Sequence, residues 1–187
     1  MTLNNYKLVT ISKLVDGIFE GDKAASINRI SINSQTRFAG EGTLFIALKG
    51  ENRDGHNFIK DAFDKGVRNF LVEKSFSSSL KSANFIVVND TLVALQLWAQ
   101  QHRLKFNIPI VAITGSNGKT VVKEWLYHFL KSKYNISRSP KSYNSQIGVP
   151  LSILMINESH QLALIEAGIS EPGEMKNLYQ LIQPTHS

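Results

Sequence analysis

The segment from Ile110 to Leu130 constrains this chain most: a short apolar run leads into Gly115-Ser-Asn-Gly-Lys-Thr and then into a helical pattern. Ile110-Val-Ala-Ile is continuously apolar, which suits a parallel strand covered on both faces. Gly115 and Gly118 let the backbone turn its N–H groups toward a ligand with no Cβ in the way, and the helix that follows adds its positive amino end. Strand, glycine turn, lysine, hydroxyl and helix in this order make a cradle for a nucleoside triphosphate. Thr114, Gly115, Ser116, Asn117 and Gly118 are the candidate loop contacts, Lys119 would neutralise the β and γ phosphates, and Thr120 would place its hydroxyl on Mg²⁺. Two residues separate the glycines where the usual motif has four. The string alone could therefore be an incidental turn at a helix start, and it is the flanking strand and helix that favour the phosphate loop.

Around this loop the chain alternates strand and helix patterns. Ile27 to Ile32, Thr43 to Leu48, Asn69 to Val72 and Phe85 to Val88 read as strands. A helix carrying Phe58, Ala62 and Phe63 is expected to close at Gly66. Asp90 or Thr91 can cap a second helix, with Leu92, Leu95, Trp98 and Ala99 in one stripe. The polar stretch from Gln100 to Asn107 ends it and suggests a boundary, giving domains over 1–106 and 107–187. In the second, the helix after the loop is expected to bury Val122, Leu126, Phe129 and Leu130, and Leu162-Ala-Leu-Ile-Glu reads as a buried strand ending in a carboxylate. The fold class is therefore α/β, a small α/β domain followed by the first part of a doubly wound, mostly parallel sheet.

Charge and composition narrow the function. The net charge of +6 invites a nucleic-acid reading. The basic residues are scattered, however, and the nearest cluster (Lys119, Lys123, Lys131, Lys133, Arg138, Lys141) carries no recognition motif, so no nucleic acid is expected as partner. A solvated face, or a cleft that draws in a phosphate-rich substrate, accounts for it as well. No run approaches the roughly 18 apolar residues of a membrane span, and the first residues have no signal-peptide layout. A cytoplasmic protein is expected. The absence of cysteine excludes a disulfide framework and a thiolate zinc site.

Three ordered motifs resemble the Mur ligase family: Thr114-Gly-Ser-Asn-Gly-Lys-Thr with its two-residue spacing, Ser142-Tyr-Asn-Ser-Gln-Ile-Gly-Val-Pro, and Glu166-Ala-Gly followed by Pro172-Gly-Glu-Met. Upstream, Gln35-Thr-Arg, Gly42-Thr-Leu-Phe-Ile-Ala-Leu-Lys-Gly and Asp54-Gly-His-Asn-Phe-Ile resemble the uridine-nucleotide domain of the branch that joins D-Ala-D-Ala to UDP-MurNAc-tripeptide. The wording around the loop and around Arg138 is most similar to forms of that branch fused to an alanine racemase. Pyridoxal phosphate would be implied only if such a domain followed.

The resemblance implies an ATP- and Mg²⁺-dependent amide ligase of peptidoglycan synthesis. Lys119 would stabilise the transferring phosphoryl group, Thr120 and Glu166 would hold Mg²⁺, Asn144 would lie by substrate and metal, and Thr36 and Arg37 would contact the UDP-sugar. It also implies further strands after Ser187, carrying a His and a carbamylated lysine, then a third domain, so that this chain would be a fragment inactive alone. Competing readings remain. Glu166 could be a plain strand-end carboxylate, Asn144 a turn residue, Arg37 an exposed ion-pair partner, and His56 is structural rather than catalytic. The family usually has Asp where Gln35 stands and a second hydroxyl where Val121 stands. A stand-alone nucleotide-binding or regulatory module without ligase activity is the alternative from another class.

Overall fold

The computed structural model describes residues 2–34, 40–50, 52–76, 80–169 and 172–187. Its contacts group into two compact units, Met1–Ala94 and Leu95–Ser187.

The first unit is built on a six-stranded sheet in the order β1-β3-β4-β5-β6-β2. Strands β3 (Ser26–Ser31), β4 (Thr43–Ile46), β5 (Asn69–Glu73) and β6 (Asn84–Val88) run parallel, where the apolar runs predict them. β4 is buried at every position, as a strand covered on both faces must be. Phe45 and Phe70 meet edge-on at 6.3 Å between ring centroids, and Phe70 stacks on Phe85 at 5.5 Å. With Ile59, Ala62 and Val67 they fill one side of the sheet. Helix α2 (Ile59–Asp64) ends as expected at Gly66, whose φ of 96° is the left-handed conformation that glycine adopts freely.

Two edge strands lie outside the sequence reading: β1 (Thr2–Lys7) pairs antiparallel with β3, and β2 (Ile18–Glu20) pairs antiparallel with β6. Between them, α1 (Leu8–Leu14) buries Leu8, Ile11 and Ser12. Edge strands need apolar residues on one face at most, and Thr-Leu-Asn-Asn-Tyr-Lys shows no alternation to reveal one. Helix α3 (Thr91–Arg103) begins at Asp90, whose Oδ1 accepts from the Leu92 and Val93 amides at 2.7 and 2.9 Å. The division between units falls inside this helix, ahead of the expected 106/107 boundary. Its last turns belong to the second unit, within which His102 Nε2 donates to the Ile156 carbonyl at 2.8 Å and the Arg103 guanidinium reaches the Ile182 and Gln183 carbonyls at 2.9 and 3.0 Å.

The second unit holds a parallel sheet in the order β7-β9-β8, made of β7 (Ile110–Ile113), β9 (Leu162–Glu166) and β8 (Ile136–Arg138). Val111 also forms a parallel bridge with His186 on the far side of β7. Helices α4 (Lys119–Leu130), α5 (Gly148–Ile153) and α6 (Glu174–Ile182) complete it. β9 is wholly buried, whereas Val111 and Ala112 of β7 are only half-buried.

The register of α4 differs from the expected one. Val122 and Phe129 are 46% and 70% exposed, while Leu126, Tyr127 and Leu130 pack against Ile113, Ile136 and Leu164, and Lys123 is buried. At about 100° per residue, 123, 126, 127 and 130 share one helix face and 122 and 129 lie off it. A lysine on the inward face hides this register from an apolar count.

Candidate functional site

The glycine loop leaves β7 at its carboxyl end and enters α4. Gly115 has φ 139° and Gly118, which precedes the helix, φ 78°, so both use the backbone freedom the sequence predicts. Thr114, Gly115, Ser116, Asn117 and Gly118 are all exposed, as a loop open to a ligand must be. Lys119 curls back over it, its Nζ donating to the Gly115 carbonyl at 2.7 Å and reaching the Ser116 carbonyl at 3.4 Å. Its ammonium stands over the turn where a phosphate would be cradled.

Beside the loop, β9 delivers Glu166 at its own carboxyl end. Glu166 is 1% exposed, and its backbone N–H donates to Ser139 Oγ at 3.0 Å. Thr120 Oγ1, in the first turn of α4, lies 3.0 and 2.9 Å from the two carboxylate oxygens. Asn144 Nδ2 donates to Oε1 at 2.9 Å, and the Ser142 hydroxyl lies 3.5 Å from that of Thr120. Thr120, Glu166 and Asn144 are thus brought together. Glu166 is not a surface carboxylate, and the Asn144 backbone carbonyl accepts from the Gly168 N–H, just past the end of β9, at 2.8 Å.

Close packing holds this arrangement. A Cβ on Gly148 would stand 2.7 Å from the Tyr143 backbone, and one on Gly168 would stand 3.1 Å from the Asn144 side chain. Both glycines let the loop after β8 press against its neighbours.

Lys123 is the residue that sequence reasoning missed. It is fully buried, not part of a solvated basic face; its ammonium donates to the Lys141 carbonyl and lies 3.4 Å from Glu166 Oε2 and 3.5 Å from Glu124 Oε1. Its position carried the signal: three residues after Thr120 and four after Lys119 it shares their side of the helix. Glu124 in turn pairs with Arg138, whose guanidinium sits 3.8 Å over the Tyr127 ring.

Thr36 and Arg37 lie outside the described residues, so the uridine-side expectation is carried by their neighbours. At the carboxyl ends of β3 and β4 a cavity of about 370 Å³ is lined by Ile32, Asn33, Ser34, Phe45, Arg53 and Phe58 among others. A larger one, about 620 Å³, lies at the amino ends of the strands, where Asn84 Nδ2 donates to Asn69 Oδ1 and Asn69 Nδ2 donates to the Thr43 carbonyl. Ligands of open α/β sheets bind beyond the carboxyl ends, which favours the smaller cavity. His56 is structural: Asp54 Oδ1 lies 2.6 Å from its Nδ1, and its Nε2 accepts from the Glu73 amide at 2.9 Å. The hydrogen bond from the His56 amide, foremost, holds the Asp54 carboxyl below its usual range.

A hydroxyl beside a carboxylate is a donor set for a hard divalent cation, which takes oxygen ligands and fills its remaining positions with water or phosphate. Among the described residues no group of three or more His, Asp or Glu side chains adds to it. Thr120 and Glu166 therefore fit a Mg²⁺ that arrives with phosphates, not a metal held by protein alone.

Residues 26–103 match the family model described as Mur ligase family, catalytic domain, and residues 113–187 match the Mur ligase middle domain. The chain is 33% identical over 174 residues to the UDP-N-acetylmuramoyl-tripeptide--D-alanyl-D-alanine ligase of Bacillus subtilis (strain 168), covering 93% of this chain and 38% of that protein. It is 36% identical over 180 residues to the protein of the same name from Buchnera aphidicola subsp. Baizongia pistaciae, covering 95% and 39%. A crystal structure of MurF from Acinetobacter baumannii superposes with a TM-score of 0.89 at 29% identity, over 98% of this chain and 40% of that one. The MurF ligase of Thermotoga maritima in complex with ADP gives 0.71 at 31% identity, over 83% and 35%. The chain thus spans about two fifths of the length of the curated relatives it matches.

Proposed function

From the premise that this chain belongs to the Mur ligase family, we propose that it supplies the nucleotide-binding and UDP-sugar-binding parts of an ATP-dependent ligase that joins D-Ala-D-Ala to UDP-MurNAc-tripeptide in cytoplasmic peptidoglycan synthesis. The observation that carries this reading is the meeting of Thr120, Glu166 and Asn144 beside the glycine loop. These residues come from three separate motifs that have no reason to converge in an incidental turn.

In this reading ATP supplies the phosphoryl group that activates the tripeptide's terminal carboxylate, and the dipeptide's amine displaces phosphate from the resulting acyl phosphate. The chain's own part is positioning and charge neutralisation. The loop amides and the amino end of α4 hold phosphate oxygens, and Lys119 releases the Gly115 carbonyl to meet the β and γ phosphates. Thr120 and Glu166 hold Mg²⁺, and Asn144 orients the carboxylate. Arg53 and Phe58 line the cavity at the ends of β3 and β4, where a guanidinium suits a pyrophosphate and a ring suits a base. Thr36 and Arg37 belong to this uridine side.

Calorimetric titration of the chain with Mg²⁺·ATP, and separately with UDP-MurNAc-tripeptide, tests the reading. Lys119→Ala should weaken ATP and spare the UDP-sugar, while Arg37→Ala should do the reverse. ATP binding with no affinity for any uridine nucleotide would favour a stand-alone nucleotide-binding module.

A further inference from the structure

Lys123 has a role that charge neutralisation does not explain. Its ammonium has given up all contact with water and donates to the backbone carbonyl of Lys141. Lys141 itself has φ 48°, a left-handed conformation that a side chain with a Cβ adopts only where something holds it. That strained residue opens the short stretch carrying Ser142 and Asn144, whose polar atoms meet Thr120 and Glu166. On its other side the same ammonium lies 3.4 Å from Glu166 Oε2, while Asn144 holds Oε1. One buried group therefore joins three elements: the helix after the glycine loop, the acidic end of β9 and the loop after β8. Glu124, the remaining charged neighbour at 3.5 Å, is occupied with Arg138.

We infer that Lys123 is a positioning residue of the nucleotide site: its ammonium clamps the Lys141–Asn144 loop and the Glu166 carboxylate in the arrangement that accepts a metal-bound nucleotide. This rests on the nucleotide-binding reading above. A lysine suits the task because its long stem reaches from the helix while its ammonium offers three donors, enough for a carbonyl and two carboxylates. Second-sphere groups of this kind tune a metal site through the ligands they orient.

The sign of the effect separates positioning from simple charge. Removing a positive charge beside Glu166 would by Coulomb's law strengthen the binding of a second cation there. Loss of the clamp would weaken it. ADP affinity is measured by calorimetry in EDTA and in Mg²⁺, for the unchanged chain and for Lys123→Met, which keeps an apolar stem. Positioning predicts that the gain in affinity from Mg²⁺ falls by about tenfold or more, with the affinity in EDTA unchanged within error. A gain that stays the same or rises overturns the inference, as does an unchanged chain whose ADP affinity ignores Mg²⁺. An unchanged chain that binds no ADP at all refutes the nucleotide reading itself.

If Lys123→Met does not fold, the unchanged protein decides. A clamped, buried ammonium gives a slowly exchanging ¹⁵Nζ signal in the NMR spectrum, and it should shift together with the Ser142 and Asn144 amides when Mg²⁺·ADP is added. Ammonium protons that exchange as fast as those of exposed lysines would overturn the clamp.

Discussion

Thr120 Oγ1 stands 3.0 and 2.9 Å from the two carboxylate oxygens of Glu166, so that a side chain from the first turn of α4 and one from the end of β9 face the same point. A hydroxyl has one proton to give, so it cannot donate fully to both oxygens, and a cation held between the hydroxyl and the carboxylate satisfies all three atoms. Glu166→Gln keeps the shape and removes the charge. We expect it to lower the Mg²⁺-dependent part of nucleotide affinity by about tenfold or more, read by titration with and without the metal.

The same substitution tests the buried pair. Glu166 and Lys123 are 1% and 0% exposed, and removing one partner of such a pair strands the other charge. Glu166→Gln should cost about 3 kcal/mol in urea unfolding, and the double variant Glu166→Gln with Lys123→Met should cost less than the sum of the singles. Strict additivity would mean that the two groups act independently.

Gly148 opens α5 with no room for a side chain. A Cβ there would lie 2.7 Å from two backbone atoms of Tyr143, so the loop bearing Asn144 would have to move. Gly148→Ala is expected to destabilise the protein by about 1–3 kcal/mol and to weaken nucleotide binding as well. Stability lost with nucleotide affinity intact would show that the loop can shift without consequence for the site.

Burial, foremost, pushes the His102 pKa down to about 4 from its usual 6.5, against the opposing effect of the bond to the Ile156 carbonyl. Burial also lowers that of His160. The unfolded chain then binds more protons than the folded one between about pH 6.5 and 4, so stability is level above that window and falls as pH drops through it. The His102 part amounts to about 3 kcal/mol at most. Thermal unfolding from pH 8 to 4 checks this: His102→Gln, which keeps a donor for the carbonyl, should flatten the curve, the remaining slope coming from His160 and, toward pH 4, from carboxylates such as Asp54.

Asp90 caps α3 with bonds to two amides. Asp90→Ala should cost about 1 kcal/mol, measured by denaturant titration, whereas Asp90→Asn should cost much less.

The parts of the fold legible in the sequence are those where one physical requirement dominates. The parallel strands of the first unit announce themselves because burial on both faces demands unbroken apolar runs, and the glycine loop because only glycine tolerates φ 139° at Gly115. The convergence of Thr120, Glu166 and Asn144 is implied by the family resemblance, and only Glu166, at the carboxyl end of β9 beside the loop, stands where strand direction alone points to a ligand. β1 and β2 could not be read, because edge pairing is satisfied by backbone alone. Nor could the inward face of α4, where an apolar count prefers Val122 and Phe129 over a lysine whose burial depends on partners from Lys141 and Glu166, distant in sequence.

The altered register of α4 has an optical consequence. It leaves Trp125, five residues past Thr120, 64% exposed, while Trp98 in α3 is sealed from solvent, and these are the chain's two tryptophans. Their emission divides by environment: a red-edge component from Trp125 open to collisional quenchers, and a blue component from Trp98 that quenchers reach only on unfolding. A single fluorescence spectrum therefore carries one reporter on the outer face of α4 and another in the core, each readable without any added label.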